Sequence, residues 1–209
     1  MVVDRSKLKK ALIKRKSNIA DSRKNSKKGM AQLKIEENFP KLEEFFLEKD
    51  RDMSNMLKKS LVGFFGSSEL VYLFELFQEI DLKSYWSFAD LGSGDGRIVF
   101  LASLFTSSVG VEKDKELYRL SLKRKEELGD LILSPTEFRN NDFYKESLDG
   151  FGLVFINPAI PFYQDGFEEF LFRNKADYLI DITLFQPRFL VKKKEFKAGL
   201  RRYALYSTK

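Results

Sequence analysis

The sequence predicts an α/β fold with a mostly parallel sheet that ends in an antiparallel hairpin. Short apolar strands alternate with helical segments between residues 87 and 182, which is the pattern of a parallel sheet covered on both faces. A glycine turn follows the first of these strands, in residues 90–97, which read D-L-G-S-G-D-G-R. Residues 189–196 and 200–207 flank a short turn with no room for a helix, which indicates a hairpin.

Composition restricts the chemistry that the chain can perform. The 209 residues include no cysteine and no histidine, so a thiol nucleophile, an imidazole base and a metal held by either side chain are excluded. We expect no metal site. The apolar stretches are too short to cross a membrane, and no secretory signal follows the basic N-terminus. The sequence therefore predicts a cytoplasmic protein with one domain of ordinary size and an appendage.

The positive charge is concentrated at the N-terminus. Residues 1–34 contain 12 Lys and Arg against two acids, whereas the other residues contain 25 basic and 29 acidic side chains, since the totals are 37 and 31. A basic segment of this kind predicts contact with the phosphates of a nucleic acid. The alternative is a solvated tail without a partner. No aromatic residue falls within this segment, so base stacking by it is not expected.

The segment before the first strand of the sheet is predicted to be helical. Apolar residues recur at mixed helical spacings in residues 39–65, and Gly63 and Gly66 then interrupt the chain. Ser67 or Ser68 is a candidate N-cap for the next helix, which extends to about residue 80. We therefore divide the chain into a basic, mainly helical extension, residues 1–61, and a domain formed by residues 62–209.

The remaining elements follow in regular order. Asp114 is a candidate N-cap for a helix that ends at Gly129, and a second helix is predicted over residues 167–172. The predicted strands after the glycine turn cover residues 108–112, 132–138 (the weakest), 153–156 and 178–182, followed by the two strands of the hairpin.

The charges of the glycine turn indicate which cofactor it binds. Its spacing is G-x-G-x-G, and two carboxylates, Asp90 and Asp95, flank the glycines. Two negative charges would repel a pyrophosphate, but they suit S-adenosylmethionine, which carries an ammonium and a sulfonium. Glu112 ends the next strand, 18 residues after Gly94, where an acid can accept hydrogen bonds from both ribose hydroxyls. These residues favour S-adenosylmethionine over NAD or ATP.

The two motifs D-L-G-S-G-D-G-R and G-V-E-K-D resemble the first two motifs of class I, Rossmann-fold S-adenosylmethionine-dependent methyltransferases. The resemblance covers about residues 62–209 and implies a Rossmann-like sheet of seven strands with helices on both faces. It implies that the methionine end of the cofactor lies near the loop and that Glu112 binds the ribose. The implied cofactor residues are Asp90, Gly92, Ser93, Gly94, Asp95, Glu112, Lys113, Asn141, Asp142, Phe143 and Asn157, with Lys113 beside the adenine and residues 141–143 near its amino group. An NAD-type fold or a non-binding fold remains the alternative.

A second motif follows the strand at residues 153–156 and predicts the acceptor site. Asn157-Pro158 is similar to the start of the N-P-P-Y/F motif of methyltransferases that act on amino groups, but Ala159 and Ile160 replace its second proline and its aromatic residue. Phe162 or Tyr163, further along the chain, would then be the stacking residue. The candidate catalytic residues are Asn157, Pro158, Phe162 and Tyr163. Asn157-Pro158 as a simple strand terminator is the structural alternative.

The glycine loop also resembles that of the Rossmann-type, non-SET lysine methyltransferases and their archaeal relatives, which carry basic segments outside the catalytic fold. We therefore expect in-line methyl transfer to a macromolecule, with a protein lysine as the favoured acceptor. An apolar channel built by Phe64, Phe65, Phe162 and Tyr163 would favour the neutral amine. Methylation of an RNA or DNA base amino group through Asn157-Pro158 is one alternative. A non-catalytic, basic RNA-binding or partner protein with the same fold is the other.

Overall fold

The computed structural model describes residues 27–52, 58–60, 63–65, 70–157, 166–183 and 185–208. The predicted roles of Pro158, Phe162 and Tyr163, the N-caps at Ser67 and Ser68, and residues 1–26 of the basic segment lie outside these residues. The helices are α1 (Lys27–Asp52), α2 (Leu70–Glu79), α3 (Arg97–Ser103), α4 (Lys115–Leu128) and α5 (Phe167–Arg173).

The predicted seven-stranded sheet is confirmed. Its strands are β3 (Phe88–Leu91), β4 (Ser108–Glu112), β5 (Thr136–Asn140), β6 (Leu153–Ile156), β7 (Asp177–Asp181), β8 (Val191–Ala198) and β9 (Arg201–Ser207). Their order across the sheet is β5-β4-β3-β6-β7-β9-β8. The first five in this order pair in parallel, whereas β9 pairs antiparallel with both β7 and β8. The C-terminal hairpin therefore closes one edge of a parallel sheet, as the sequence predicts.

Alternate side chains of the central strands point to opposite faces of the sheet. Phe88 and Phe155 belong to the apolar cluster on the face that carries α1, α2 and α3. Ala89, Val154 and Ile156 belong to the cluster on the other face, which contains α5. Because successive strand residues face opposite sides, central strands with buried apolar side chains on both faces must be covered on both.

Helix α1 packs into the same core as the sheet. The Phe39 ring stacks on that of Phe74 in α2, with centroids 3.8 Å apart, and Phe46 lies 6.2 Å from Phe100 in α3. Each of these four side chains is at most 2% exposed. The division between an extension and a domain at residues 61 and 62 stays a prediction, but the helix of that extension contributes directly to the central core.

The helix predicted over residues 39–65 is wrong at its C-terminal end. Helix α1 starts earlier and ends at Asp52, and residues 58–65 contain two short antiparallel strands, β1 (Lys58–Ser60) and β2 (Gly63–Phe65). Such strands are stabilised by each other, so the mixed apolar spacing of the segment does not reveal them. Strand β5 also begins four residues later than predicted, after Pro135.

Helix α4 follows the predicted capping pattern. The Asp114 carboxylate accepts hydrogen bonds from the backbone N–H groups of Glu116 at 2.8 Å and Leu117 at 3.2 Å. At the other end, Gly129 has φ +47° and donates its N–H to the Lys125 carbonyl. Both predicted boundaries of this helix are confirmed.

The amino-terminal ends of the strands carry an exposed tryptophan. Trp86 precedes β3 and is 66% exposed. Its ring lies across Gly152, just before β6, where a Cβ atom would come within 3.2 Å of the indole. This edge of the sheet is opposite the edge from which the glycine loop leaves β3.

Candidate functional site

The carboxyl ends of four neighbouring strands bring the predicted site residues to one edge of the sheet. In sheet order β4, β3, β6 and β7, Glu112 ends β4, Asp90 lies one residue before the end of β3, Asn157 follows β6 and Asp181 ends β7. Open α/β sheets bind their ligands outside this edge. The topology therefore places the two predicted motifs side by side.

The glycine loop adopts a conformation that only glycine readily takes. Gly92, Gly94 and Gly96 have φ values of +81°, +55° and +83°, in the region that side chains disfavour. At Gly96 a Cβ atom would also lie 2.7 Å from the Phe138 ring. Backbone N–H groups of Gly92 and Ser93 donate to the Val111 carbonyl, so the loop folds back over the end of β4.

Asp90 provides a buried carboxylate directed at this edge. The residue is 2% exposed, and its Oδ2 has no hydrogen-bond partner among the described residues. Burial, with a smaller contribution from the negative charge of Glu112, raises the pKa of Asp90 to about 8. A buried acceptor without a partner is costly, so a cationic donor placed here would both satisfy and ionise it.

Glu112 holds the loop against strand β4. Its Oε2 accepts a hydrogen bond from the Gly94 N–H and its Oε1 from the Asp114 N–H, both at 2.8 Å. Burial raises the pKa of Glu112, although these backbone hydrogen bonds oppose the shift. Each carboxylate oxygen has two lone pairs, so both retain capacity for a further donor. Glu112 therefore links the glycine loop to the start of helix α4.

Asp95 differs from the role that its charge suggested. The sequence predicts a second carboxylate beside the cofactor, but the Asp95 side chain forms ion pairs with Arg97 and Arg124. Arg97 in turn pairs with Asp50 of α1 at 2.7 Å. The negative charge of Asp95 is balanced within the protein, so the predicted repulsion between this carboxylate and a pyrophosphate does not follow. Contact between this residue and a cofactor stays a prediction.

The residues predicted to lie near the adenine form two side-chain pairs. Lys113 Nζ lies 2.9 Å from Asp142 Oδ2, and Asn141 Nδ2 donates to Glu146 Oε1 at 2.7 Å. Burial opposes the shift, but the hydrogen bond from Lys113 lowers the pKa of Asp142. Phe143 is buried and stacks on Tyr144, with ring centroids 4.6 Å apart. The predicted adenine residues thus lie together beyond β4 and β5.

Asn140 is a site residue that the sequence analysis missed. It ends β5, and its Nδ2 donates to the backbone carbonyls of Glu112 at 2.8 Å and Lys113 at 3.1 Å. This amide fixes the end of β4, from which the Glu112 side chain projects. Its place at the end of a strand, one residue before the predicted site residue Asn141, could have indicated it.

The acceptor side contains a second missed residue, Arg201. Its Nη1 donates to Asn157 Oδ1 at 2.9 Å and to Asp181 Oδ2 at 2.6 Å. The Asp181 side chain is 4% exposed and that of Arg201 is 49% exposed. Although Arg201 belongs to the C-terminal hairpin, its guanidinium lies against the predicted acceptor motif. No local pattern reveals a contact between residues 44 positions apart.

Two kinds of feature are absent from the described residues. Among them there is no helix with the length and hydropathy to cross a membrane. In the same part of the chain, no group of three acidic side chains is arranged to hold a metal ion.

One segment of the chain matches a known protein family. Residues 58–158 match the family model "Histone methylation protein DOT1". This segment includes the glycine loop, Glu112 and Asn157. No curated protein sequence is detectably similar to the chain.

Solved structures share the fold at low sequence identity. An RNA methyltransferase from Salinibacter ruber in complex with S-adenosyl-L-homocysteine has a TM-score of 0.53 and 20% identity, covering 69% of this chain and 94% of its own. Magnesium protoporphyrin IX methyltransferase from Synechocystis PCC 6803, with bound SAM, has a TM-score of 0.50 and 9% identity over 66% and 81% of the two chains. The mitomycin 7-O-methyltransferase MmcR has a TM-score of 0.53 and 12% identity over 66% and 53%.

The family match and the shared architecture agree with the geometry of the site. The sheet order, the glycine loop after β3 and the acid at the end of β4 form one arrangement. The chain has the class I, Rossmann-like fold, and the match of residues 58–158 to a methylation family supports S-adenosylmethionine-dependent methyl transfer as its activity.

Proposed function

We propose that the chain methylates the amino group of a lysine side chain in a protein. The observation that carries this proposal is the match of residues 58–158 to a histone methylation family, because that segment contains both Asp90 and Asn157. The 3 residues Pro158, Phe162 and Tyr163 of the acceptor motif remain part of the proposal as candidate catalytic residues.

Asp90 fits the cofactor through its free oxygen. S-adenosylmethionine, when bound, supplies a methyl group on a sulfonium whose leaving group is a neutral thioether. Asp90 would accept the ammonium at its buried Oδ2, and Glu112 would accept the ribose hydroxyls with the lone pairs that its backbone contacts leave. Loop residues 92–95, Lys113 and residues 141–143 would complete the cofactor site.

The acceptor amine must be neutral when it reacts. A lysine ammonium has a pKa of about 10.4, and a nearby cation favours its deprotonated form. Arg201 lies at the acceptor edge, 2.9 Å from Asn157, but its charge is balanced by Asp181 at 2.6 Å. Burial of the lysine in the predicted apolar channel would therefore be what favours the neutral amine. The ammonium would first lose a proton to solvent.

Methyl transfer is then a single displacement. The nitrogen lone pair forms the new N–C bond while the S–C bond breaks, and the product keeps the positive charge as a methylammonium. Alignment of the reacting groups supplies most of the rate gain, so the protein needs no covalent intermediate.

Nucleic acid is the alternative substrate, since Asn157-Pro158 also begins a motif of amino-group methyltransferases. Residues 1–34 would bind a nucleic-acid substrate by contacting its phosphates. Removing residues 1–26 should reduce the salt dependence of nucleic-acid binding, because each neutralised phosphate adds about 0.9 to the slope of log K against log salt on a duplex. An unchanged slope would contradict this role.

Transfer of a labelled methyl group tests the substrate class. The protein is incubated with methyl-labelled S-adenosylmethionine and either a core histone octamer or total RNA, and the products are treated with protease or nuclease. We expect protease-sensitive label that elutes as methyl-lysine after acid hydrolysis. Label released by nuclease would establish the nucleic-acid alternative. Cofactor binding without transfer to either substrate would favour the alternative of a non-catalytic RNA-binding or partner protein. Asp90→Asn serves as the inactive control.

A further inference from the structure

Arg97 connects the glycine loop to helix α1. It is the first residue of α3 and its side chain is 5% exposed. One edge of its guanidinium contacts Asp95, with Nε–Oδ1 and Nη2–Oδ2 distances of 3.1 and 2.7 Å. The other edge contacts Asp50 of α1, with Nη1–Oδ2 and Nη2–Oδ1 distances of 3.0 and 2.7 Å. A single planar group therefore bridges the cofactor loop and a helix that precedes the sheet.

The Phe46 ring of α1 packs against the guanidinium groups of Arg97 and Arg124. Its ring centroid lies 5.0 Å from the Arg97 guanidinium and 5.1 Å from that of Arg124, within the range of a cation–π contact. The Phe46 side chain is 2% exposed. Helix α1 thus contributes both an aromatic face and a carboxylate to the two arginines that hold Asp95.

The four charges balance one another. Two carboxylates, Asp50 and Asp95, face two guanidiniums, Arg97 and Arg124. Buried charges are tolerated only when they are paired, and removing one member leaves another uncompensated. Loss of the Asp50 charge would therefore leave one cation in excess and disturb the contacts that Asp95 makes.

Asp95 is the point at which the arrangement meets the cofactor loop. It lies between Gly94 and Gly96, whose φ values are +55° and +83°. Glycine backbones have more conformational freedom than any other, so the Asp95 side chain is a major constraint on this part of the loop. Further constraints are the hydrogen bond from the Gly94 N–H to Glu112 and those from the Gly92 and Ser93 N–H groups to the Val111 carbonyl.

We propose that Asp50 is a positioning residue for cofactor binding: through Arg97 and Asp95 it fixes the loop of residues 92–96 in its binding conformation. Asp50 does not touch the cofactor. Helix α1 is then part of the cofactor site in function, although it precedes the strands that form it. This inference goes beyond the proposed lysine methylation and does not depend on it.

A neighbouring ion pair provides the matched control. Lys49 Nζ lies 2.9 Å from Glu127 Oε2, and it joins α1 to α4 with side chains that are 32% and 31% exposed. Asp50 is 37% exposed. The two pairs are alike in length, in helix and in the exposure of their α1 residue, but Asp50 is hydrogen-bonded to Arg97, whereas Glu127 acts on the cluster only through its charge near Arg124. An effect on general packing would appear in both, whereas an effect on the loop would appear only at Asp50.

The test measures the affinity of the full chain for S-adenosylhomocysteine by calorimetry. We expect the Kd of Asp50→Asn to rise about tenfold, within the usual range of coupling between sites. Lys49→Gln should keep the parent Kd, and Asp50→Glu, which restores the charge, should recover most of the affinity. Hydrogen exchange should be faster at the amides of residues 92–96 in Asp50→Asn and unchanged in Lys49→Gln.

A parent-like Kd and parent-like loop exchange in Asp50→Asn would overturn the proposal, as would an equal loss in Lys49→Gln. Asp50→Ser provides a second variant with the same expected rise in Kd, should Asp50→Asn fold poorly. Because the readout is cofactor binding, its result is separate from the identity of the methyl acceptor.

Discussion

The cofactor half and the acceptor half of the site hold their polar groups differently. Asp90 and Glu112 are acidic, buried and part of a single βαβ segment, in which two backbone N–H groups hold Glu112. Around Asn157 the groups come from three strands, and Arg201, a half-exposed cation, joins them. The first half follows from short-range sequence, while the second is assembled from distant parts of the chain.

This difference indicates how the two halves can change. A local loop with fixed glycines and a buried acid can keep one cofactor, since each part constrains its neighbours. An acceptor edge built from long-range contacts can alter its substrate by changing residues such as Arg201 without disturbing the cofactor loop. Variants that affect one half and not the other test this separation.

The largest effect is expected for Asp90→Asn. The substitution removes the carboxylate that would receive the cofactor ammonium, and loss of one partner of a buried charge pair costs about 2–5 kcal/mol. We expect the Kd for S-adenosylhomocysteine to rise about 100-fold by calorimetry. Asp149→Asn, an exposed acid at the opposite edge of the sheet, is the control. Parent-like binding by Asp90→Asn would refute the assignment.

Arg201→Gln should affect catalysis rather than cofactor binding. Without the cation, Asn157 and Asp181 lose a shared donor, and misplaced reacting groups reduce kcat by on the order of 10- to 100-fold. Steady-state kinetics with the substrate that accepts the label measures this. Arg202→Gln is the matched control, because Arg202 pairs outward with Glu195. A change in the cofactor Kd as large as that in kcat would mean that the halves are not separate.

Glu112→Gln should have a smaller effect confined to the cofactor half. The amide keeps one acceptor oxygen but loses the other, so either the Gly94 or the Asp114 N–H loses its partner. We expect about a tenfold rise in the cofactor Kd and about 1–2 kcal/mol less stability, measured by calorimetry and urea unfolding. An unchanged Kd would mean that Glu112 does not position the loop.

The smallest effect is a pH dependence caused by Asp90. Its pKa is about 8 in the folded protein against 3.8 as the ordinary value, so between these values the folded state holds a proton that the unfolded state releases. Stability therefore falls as pH rises, by about 1 kcal/mol per pH unit near pH 7. Urea unfolding at pH 6 and pH 7 should show this fall in the parent and a smaller one in Asp90→Asn. Equal slopes would contradict the raised pKa.

Much of the fold was predictable because its signals are local. The cap at Asp114, the stop at Gly129 and the apolar runs of the central strands each depend on neighbouring residues. The short strands β1 and β2 were missed because three-residue pairing depends on the partner strand and not on periodicity. The helix predicted over residues 39–65 therefore extended beyond its observed end at Asp52.

In the site, too, the residues that could be predicted from the sequence are those within one local motif. The glycine loop and Glu112 lie within one motif pair, and the structure brings them together. The partners of Asp95 could not be inferred, since Arg124 lies 29 positions away and Asp50 lies on a helix before the sheet. Charge in a motif indicates what a residue could bind, but only the packed structure shows whether another residue has already neutralised it.

Trp86 gives the protein an internal optical probe. It is the sole tryptophan in the sequence, it is 66% exposed, and it rests on Gly152 at the edge of the sheet away from the glycine loop. Its fluorescence therefore reports the folded state of that edge. The indole lies away from the loop at which the cofactor would bind. A single sample can follow unfolding by fluorescence while calorimetry follows binding, so each variant of the loop can be checked for folding without disturbing the measurement of its affinity.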